Sequence, residues 1–290
     1  MDGYINFYKE SGIASNKALE RIKKFLGAEK AGFLGTLDPV AAGILPIALG
    51  WGTRFFPYFE KAPKMYRATI LFGSETDTLD STGKTTVSRP SDHITRDKLV
   101  EAMEKFKGEI NQTPPMYSAK KIGGKRLYEI ARKGGEVERE PKKVYVHSLE
   151  LESFSGESAV FSAVVSRGTY IRVLCEDVGR VLGSAAHMGA LVREAAHVFK
   201  SEGSWTLSRL EERSDFPDEW LLPLDFPLGF LPMHSATAME KKSLLNGRFI
   251  FYTGSDSGPI RLYSPEGGFF GVGNADPTGK RINPEKVVNR

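Results

Sequence analysis

The sequence predicts an α+β fold: a mixed, mostly antiparallel sheet flanked by helices, followed by a small C-terminal β-barrel. Three observations carry this expectation. Runs of alternating apolar and polar residues are joined by short turns, as neighbouring antiparallel strands require. Between some of these runs lie segments with apolar residues at helical spacing. Residues 222–232, LPLDFPLGFLP, interrupt both patterns with proline and glycine, and short strand-like runs follow.

Taken in order, a helix is expected from Ser15, read as its cap, to about Leu26, with Leu19, Ile22 and Leu26 on one face and Gly27 as its stop. A stretch punctuated by Gly and Pro runs from Gly32 to Gly50. A strand then spans Tyr66 to Phe72, with Tyr66, Ala68, Ile70 and Phe72 on one side and Arg67 and Thr69 on the other. Residues 74–94, rich in Ser, Thr, Asp and Gly, read as a polar link. Thr95 opens a helix that turns Leu99, Met103 and Phe106 inward and closes at Gly108. Two strands follow, Val144–Glu152 and Ala159–Ser166, separated by a Ser-Gly turn. Thr169 then starts a helix whose inward residues are Ile171, Leu174, Val178 and Leu182. In the tail, strand-like runs occur at Arg248–Tyr252, Ile260–Tyr263 and Phe269–Val272. Two units are expected, residues 1–230 with an insertion at about 113–143, and residues 231–290.

Composition narrows the class. Of 290 residues 40% are hydrophobic and 26% charged, which suits a folded domain and excludes disorder, collagen and coiled coil. The longest apolar stretch, Ala41 to Trp51, contains a proline and glycines and is too short to span a bilayer. The amino terminus does not read as a secretory signal, and the lone Cys175 excludes an internal disulfide framework. A cytoplasmic location is therefore expected. The formal net charge is +4, and a net +5 is concentrated between Tyr117 and Lys143, where nine basic residues face four acidic ones. A basic segment interleaved with Tyr117 and Tyr128 suits a phosphate backbone with exposed bases.

Several chemistries are struck out by missing residues. Gly83-Lys84-Thr85 ends like a phosphate-binding loop, but Thr78 occupies the place of its first glycine. No G-x-G-x-x-G, G-x-S-x-G or C-x-x-C is present, and the five histidines are scattered. What remains is carboxylate, arginine and tyrosine chemistry, centred on Gly35-Thr36-Leu37-Asp38-Pro39. Proline after Asp38 biases that aspartate toward an extended conformation, and the nearby glycines permit a close approach of backbone to a ligand.

The longer run GFLGTLDPVAAGILP, residues 32–46, resembles the catalytic signature of the bacterial tRNA pseudouridine-55 synthases, the TruB family of pseudouridine synthases. Three further blocks resemble that family in order. The first is Lys64-Met65-Tyr66-Arg67 with Thr76-Asp77-Thr78, Asp80 and Gly83. The second is TPPMYSAKK, residues 113–121, with GKRLY, residues 124–128. The third is RGTYIR, residues 167–172, with Gly183, His187 and Leu191 downstream. The tail resembles a PUA module, a small RNA-binding barrel, through LLNGR, residues 244–248, and GFFGVGNAD, residues 268–276.

The resemblance implies an isomerase that breaks the bond from ribose to N1 of uracil in the T-arm of tRNA, turns the base and rejoins it through C5. No group is added and no electrons are gained or lost, so neither cofactor nor metal is expected. It implies Asp38 as nucleophile, Arg172 as its partner and Tyr66 against the flipped base, where its phenol can also help remove the C5 proton. Tyr170 and Leu191 line the same pocket, and Lys120, Lys121, Lys125, Arg126 and Arg193 contact RNA. Phe33 stands where the family usually has histidine, and keeps a stacking role without a titratable nitrogen. Val192-Arg193 stands where two consecutive arginines are usual. The expected partner is tRNA alone, bound by a monomer with no obligatory protein partner and no membrane. Attack on ribose C1′ or on C6 of the base remains open. So do a related RNA-guided synthase of archaeal and eukaryotic type and a non-catalytic RNA-binding or RNA-folding protein.

Overall fold

The computed structural model describes residues 1–118 and 120–289, without the side chains of Lys121 and Lys125. Its main sheet follows the strand order Tyr8–Lys9, Ala42–Ile44, Ala186–Ala196, Lys64–Phe72, Ser158–Val165, Lys142–Phe154, Gly108–Gln112. Every neighbour pair is antiparallel except Ala186–Ala196 with Ala42–Ile44, which is parallel. The α+β expectation and its antiparallel bias therefore hold. Lys64–Phe72 alternates cleanly: Lys64, Tyr66, Ala68, Ile70 and Phe72 are buried, whereas Met65 and Arg67 are exposed. The buried side packs under helix Ile171–Val181 with Leu99, Met103, Phe161 and Leu174.

The central strand, Ala186–Ala196, has no counterpart in the sequence reading. Its run AHMGALVREAA is rich in Ala and Gly and bulges at two places, after Met188 and after Arg193, so period-two alternation is lost. Residues 74–94 are more than a link, because Ser74–Thr76 and Thr85–Ser88 pair as an antiparallel hairpin. Polar and short, with Glu75 and Thr76 buried and its second strand mostly exposed, that hairpin carries no hydrophobic alternation. The first helix spans Ser15–Leu26 and ends on left-handed Gly27 as expected, but Ala14 is its N-cap. Ser15 instead accepts a hydrogen bond from Leu37 N at 3.0 Å and donates to Leu37 O at 2.8 Å. Thr95 caps its helix, Arg96–Glu104, as expected.

Beyond the Pro- and Gly-rich break, Met233–Ser235, Gly258–Tyr263, Phe269–Asp276, Arg281–Val287 and Ile250–Phe251 form a five-stranded sheet, curled into a half-barrel around Leu244, Ile260, Leu262 and Ile282. Val272 and Val288 join a second cluster with Phe55, Phe59, Phe199 and Leu228, which fastens the tail to the body of the protein. No helix among the described residues is long and apolar enough to cross a membrane.

Candidate active site

Three side chains hold the segments on either side of Asp38 in place. Ser15 clamps Leu37 from the first helix. Lys9, buried, donates from Nζ to the carbonyls of Glu10, Ile13, Pro39 and Ala41 at 3.0, 2.8, 3.4 and 2.5 Å. Arg193 donates from Nη2 to Gly35 O at 2.9 Å and Leu34 O at 3.4 Å, and from Nε to Ile44 O at 2.6 Å. The chain after Asp38 passes so close to the central strand that Gly43, at φ +112°, leaves no room for a Cβ: one would lie 2.2 Å from Arg193 O.

Across the pocket, the helix Ile171–Val181 presents Arg172 in its first turn, with Tyr170 as the N-cap residue. Gln112 fixes that start, accepting from Tyr170 N at 2.9 Å and donating to Tyr170 O at 3.3 Å. The Arg172 side chain is only 4% exposed and is fully employed. Its Nε lies 2.9 Å from Asp38 Oδ2, its Nη1 donates to Thr78 O at 2.6 Å, and its Nη2 donates to Tyr117 O at 2.8 Å. A second carboxylate, on buried Asp80, lies 3.9 Å from Nη1. Asp80 also ties its own loop, accepting from Thr78 Oγ1 at 2.8 Å, Thr82 N at 3.0 Å and Thr82 Oγ1 at 2.5 Å. The block from Thr76 to Asp80 therefore supports the arginine from behind. Glu176, one helical turn on, pairs with Arg180 rather than with Arg172.

Asp38 keeps 35% of its side chain exposed and stands between two cavities. One, of about 290 Å³, is lined by Gly35, Asp38, Lys64, Tyr66, Tyr170, Leu191 and Arg193 among others. The other is a broad groove of about 850 Å³ that takes in Lys17, Phe33, Tyr117, Arg126, Tyr128 and Arg132. A small pocket sized for one base thus opens, past a carboxylate, onto a groove sized for a nucleic-acid strand. Tyr66 and Leu191 come from adjacent strands and form the pocket floor, and burial pushes the Tyr170 phenol up. In the groove, Arg126 donates to Tyr128 OH at 3.0 Å, and the guanidinium of Arg132 lies 5.5 Å from the centre of the same ring.

The expected residues Asp38, Arg172, Tyr66, Tyr170 and Leu191 are therefore brought together, with Phe33 and Arg126 in the adjoining groove. Lys120 is half-buried outside both cavities, and the side chains of Lys121 and Lys125 lie outside the described residues. Arg193 departs from expectation. It is wholly buried, its Nε and Nη2 are spent on backbone carbonyls, and it offers no contact for RNA at the surface. Lys9 and Gln112 carry no signal in the sequence, because a lysine or glutamine that binds backbone reads the same as one in water, and Ser15, expected as a helix cap, serves the site instead through Leu37.

Comparisons with known proteins agree with this geometry. Residues 23–171 match the TruB family pseudouridylate synthase N-terminal domain. Residues 172–228 match the tRNA pseudouridylate synthase B C-terminal domain, and residues 236–288 match the pseudouridine synthase II TruB C-terminal domain. The tRNA pseudouridine synthase B of Caldanaerobacter subterraneus is 40% identical over 99% of each chain, and that of Aquifex aeolicus 39% over 99% of this chain and 100% of its own. Among solved structures, a Cbf5-Nop10-Gar1 complex contains a chain that superposes with a TM-score of 0.75 at 26% identity, over 98% of this chain and 84% of that one. An H/ACA ribonucleoprotein bound to a substrate RNA shares the fold, with a TM-score of 0.76 at 24% identity over 99% of this chain and 85% of that one. The chain belongs to the TruB family of pseudouridylate synthases.

Proposed function

We propose that the protein converts uridine 55 in the T-arm of tRNA to pseudouridine, with Asp38 as nucleophile. The observation that carries this reading is the Asp38–Arg172 pair, 2.9 Å apart at the boundary between a base-sized pocket and a strand-sized groove. A uridine stacked within an RNA arm cannot reach such a pocket, so the base is turned out of the stack and enters past Asp38. Tyr66, Tyr170 and Leu191 hold the everted base by stacking and apolar contact, and Phe33 stacks on a neighbouring base in the groove. The Asp38 carboxylate attacks, the bond from C1′ to N1 breaks, the base rotates, C5 bonds to C1′ in place of N1, and the bond to Asp38 breaks to return the free carboxylate. C5 then loses its proton, to which the Tyr66 phenol can contribute, and N1 gains one, so atoms and charge balance without any cofactor.

Arg172 holds the nucleophile in line and offsets its charge. Lys120, Lys121, Lys125 and Arg126 meet phosphates of the arm, and residues 231–290 form a second RNA-binding unit behind residues 1–230. In this reading the enzyme acts as a monomer without a guide RNA or protein partner. The test is incubation of purified protein with unmodified tRNA transcripts, followed by mapping of isomerised uridines. Pseudouridine confined to the T-loop is the expected result. No product, or product only when a guide RNA is added, overturns the reading.

A further inference from the structure

The floor of the base-sized pocket holds two cations that the mechanism above does not use. Lys64 and Tyr66 lie two residues apart on one strand, and Leu191 and Arg193 two apart on its antiparallel neighbour, with Tyr66 and Arg193 as direct register partners. All four therefore share one face of the sheet, beneath the segment that leads to Asp38. Lys64 and Arg193 are both buried, and cations at such depth are ordinarily neutralised by a carboxylate. Among the described residues neither has an ion-pair partner. The acid beside them, Glu60, is engaged by Arg167 at 2.5 Å.

Arg193 directs Nε and Nη2 at backbone carbonyls, while its buried Nη1 has no acceptor. The Lys64 ammonium makes no hydrogen bond to the described residues, in contrast to Lys9, which finds four carbonyls. Gly35 is part of this arrangement. It adopts φ +69°, and a Cβ there would lie 3.1 Å from Lys64 Cε and 3.4 Å from Arg193 Nη1. Two unneutralised cations below a pocket with a carboxylate at its rim create a strong preference for an anion between them.

We propose that Lys64 is a catalytic residue that donates from Nζ to a carbonyl oxygen of the target uracil as negative charge builds there. The proposal rests on the pseudouridine synthase reading. It does not depend on which atom Asp38 attacks. When the bond from C1′ to N1 breaks, the electron pair leaves with N1 and spreads over O2 and O4. When C6 is attacked instead, the pair of the C5–C6 double bond moves through C4 onto O4. In both cases a uracil oxygen carries the charge until C5 bonds to C1′ and Asp38 leaves as the free carboxylate, after which C5 loses its proton and N1 takes one up. Donors fixed in place before that moment lower the barrier without reorganising.

The groups facing Lys64 are Arg193 on the adjacent strand, Arg167 before the helix, Glu60 after the short helix Phe56–Phe59, and Tyr66 on its own strand. Burial first, then Arg193 and Arg167, bring Lys64 down to about 8 against the opposing pull of Glu60.

The experiment compares wild type, Lys64→Met and Lys64→Arg in single-turnover conversion at saturating unmodified tRNA, with tRNA affinity measured across a salt series. Lys64→Met should slow conversion about 100-fold and leave affinity and its salt slope unchanged, while Lys64→Arg should recover about 10-fold of the loss. A Lys64→Met rate within a few-fold of wild type overturns the proposal. So does a full rate at saturation with weaker binding and a salt slope reduced by about one, since Lys64 would then be neutralising a phosphate. Should Lys64→Met fail to fold, the pH profile decides. The wild-type rate should fall as pH rises through about 8, and the same fall persisting in Lys64→Arg contradicts the assignment. Absence of product from the wild type would instead refute the synthase reading itself.

Discussion

The basic insertion around residues 117–143 and the cleft around Asp38 both depend on cations, but they use them in opposite ways. In the insertion, Lys133, Lys142 and Lys143 lie exposed, and the pair Lys143–Glu109 is open to water and worth little. In the cleft, Lys9, Lys64, Arg172 and Arg193 are all buried. Three of them bind identified backbone carbonyls, and one binds the carboxylate proposed to react. Exposed charge supplies affinity that is additive and sensitive to salt. Buried charge supplies geometry and fails at the loss of any one member.

The largest contrast should come from Arg172. Replacing it with Met removes the partner of Asp38 and strands Asp80, so activity should drop at least about 1000-fold and unfolding free energy by about 3 kcal/mol, read by single-turnover assay and urea titration. An active, stable Arg172→Met protein would erase the distinction between the two regions. Lys9→Met should come next. The carbonyls of Pro39 and Ala41 lose their donor, and kcat should fall about 10–100-fold while tRNA affinity is kept. Loss of affinity with kcat intact would place Lys9 with the surface cations instead.

In the insertion, replacing Lys120 and Arg126 together should flatten the salt slope of tRNA binding by about two and leave kcat at saturation within a few-fold of wild type. An unchanged slope would assign both residues to solvent. Between them, Phe33→Ala should weaken kcat/KM about 10-fold through lost stacking. Phe33→His should stay close to wild type, and a large gain would mean that a titratable ring is needed there.

The smallest effect concerns pH and stability. Lys9 and Lys64 both titrate near 8 in the folded protein, below the usual 10.5, because burial disfavours their charged forms. Between about 8 and 10.5 the unfolded chain therefore binds more protons than the folded one. The cost of burying these charges is constant below about 8 and relieved as pH rises above it. Stability in urea should thus increase modestly from pH 7.5 to 9.5, and Lys64→Met should reduce that increase. A flat or falling wild-type curve would contradict the burial argument.

The same division explains what the sequence made legible. Strands such as Lys64–Phe72 and Ser158–Val165 show their alternation because one side meets core and the other water. The helices at Arg96 and Ile171 show caps and apolar spacing for the same reason. The central strand Ala186–Ala196 is invisible by that rule, since bulges and small residues erase its period although it positions Leu191 and Arg193. Within the site, Asp38, Tyr66, Tyr170 and Arg172 were legible as a motif, through family resemblance. The supporting residues Lys9, Ser15 and Gln112 act through backbone atoms distant in sequence, and no local pattern records such bonds. Arg193 was read as a surface cation because side-chain type carries no sign of depth.

The most direct measurement is a crystal structure of the Asp38→Asn protein bound to a T-arm stem-loop. The account predicts the target uridine turned out of the stack, its base between Tyr66 and Leu191, and its ribose or C6 within about 3.5 Å of residue 38. A uridine still stacked in the loop, or a base bound away from residue 38, would contradict it.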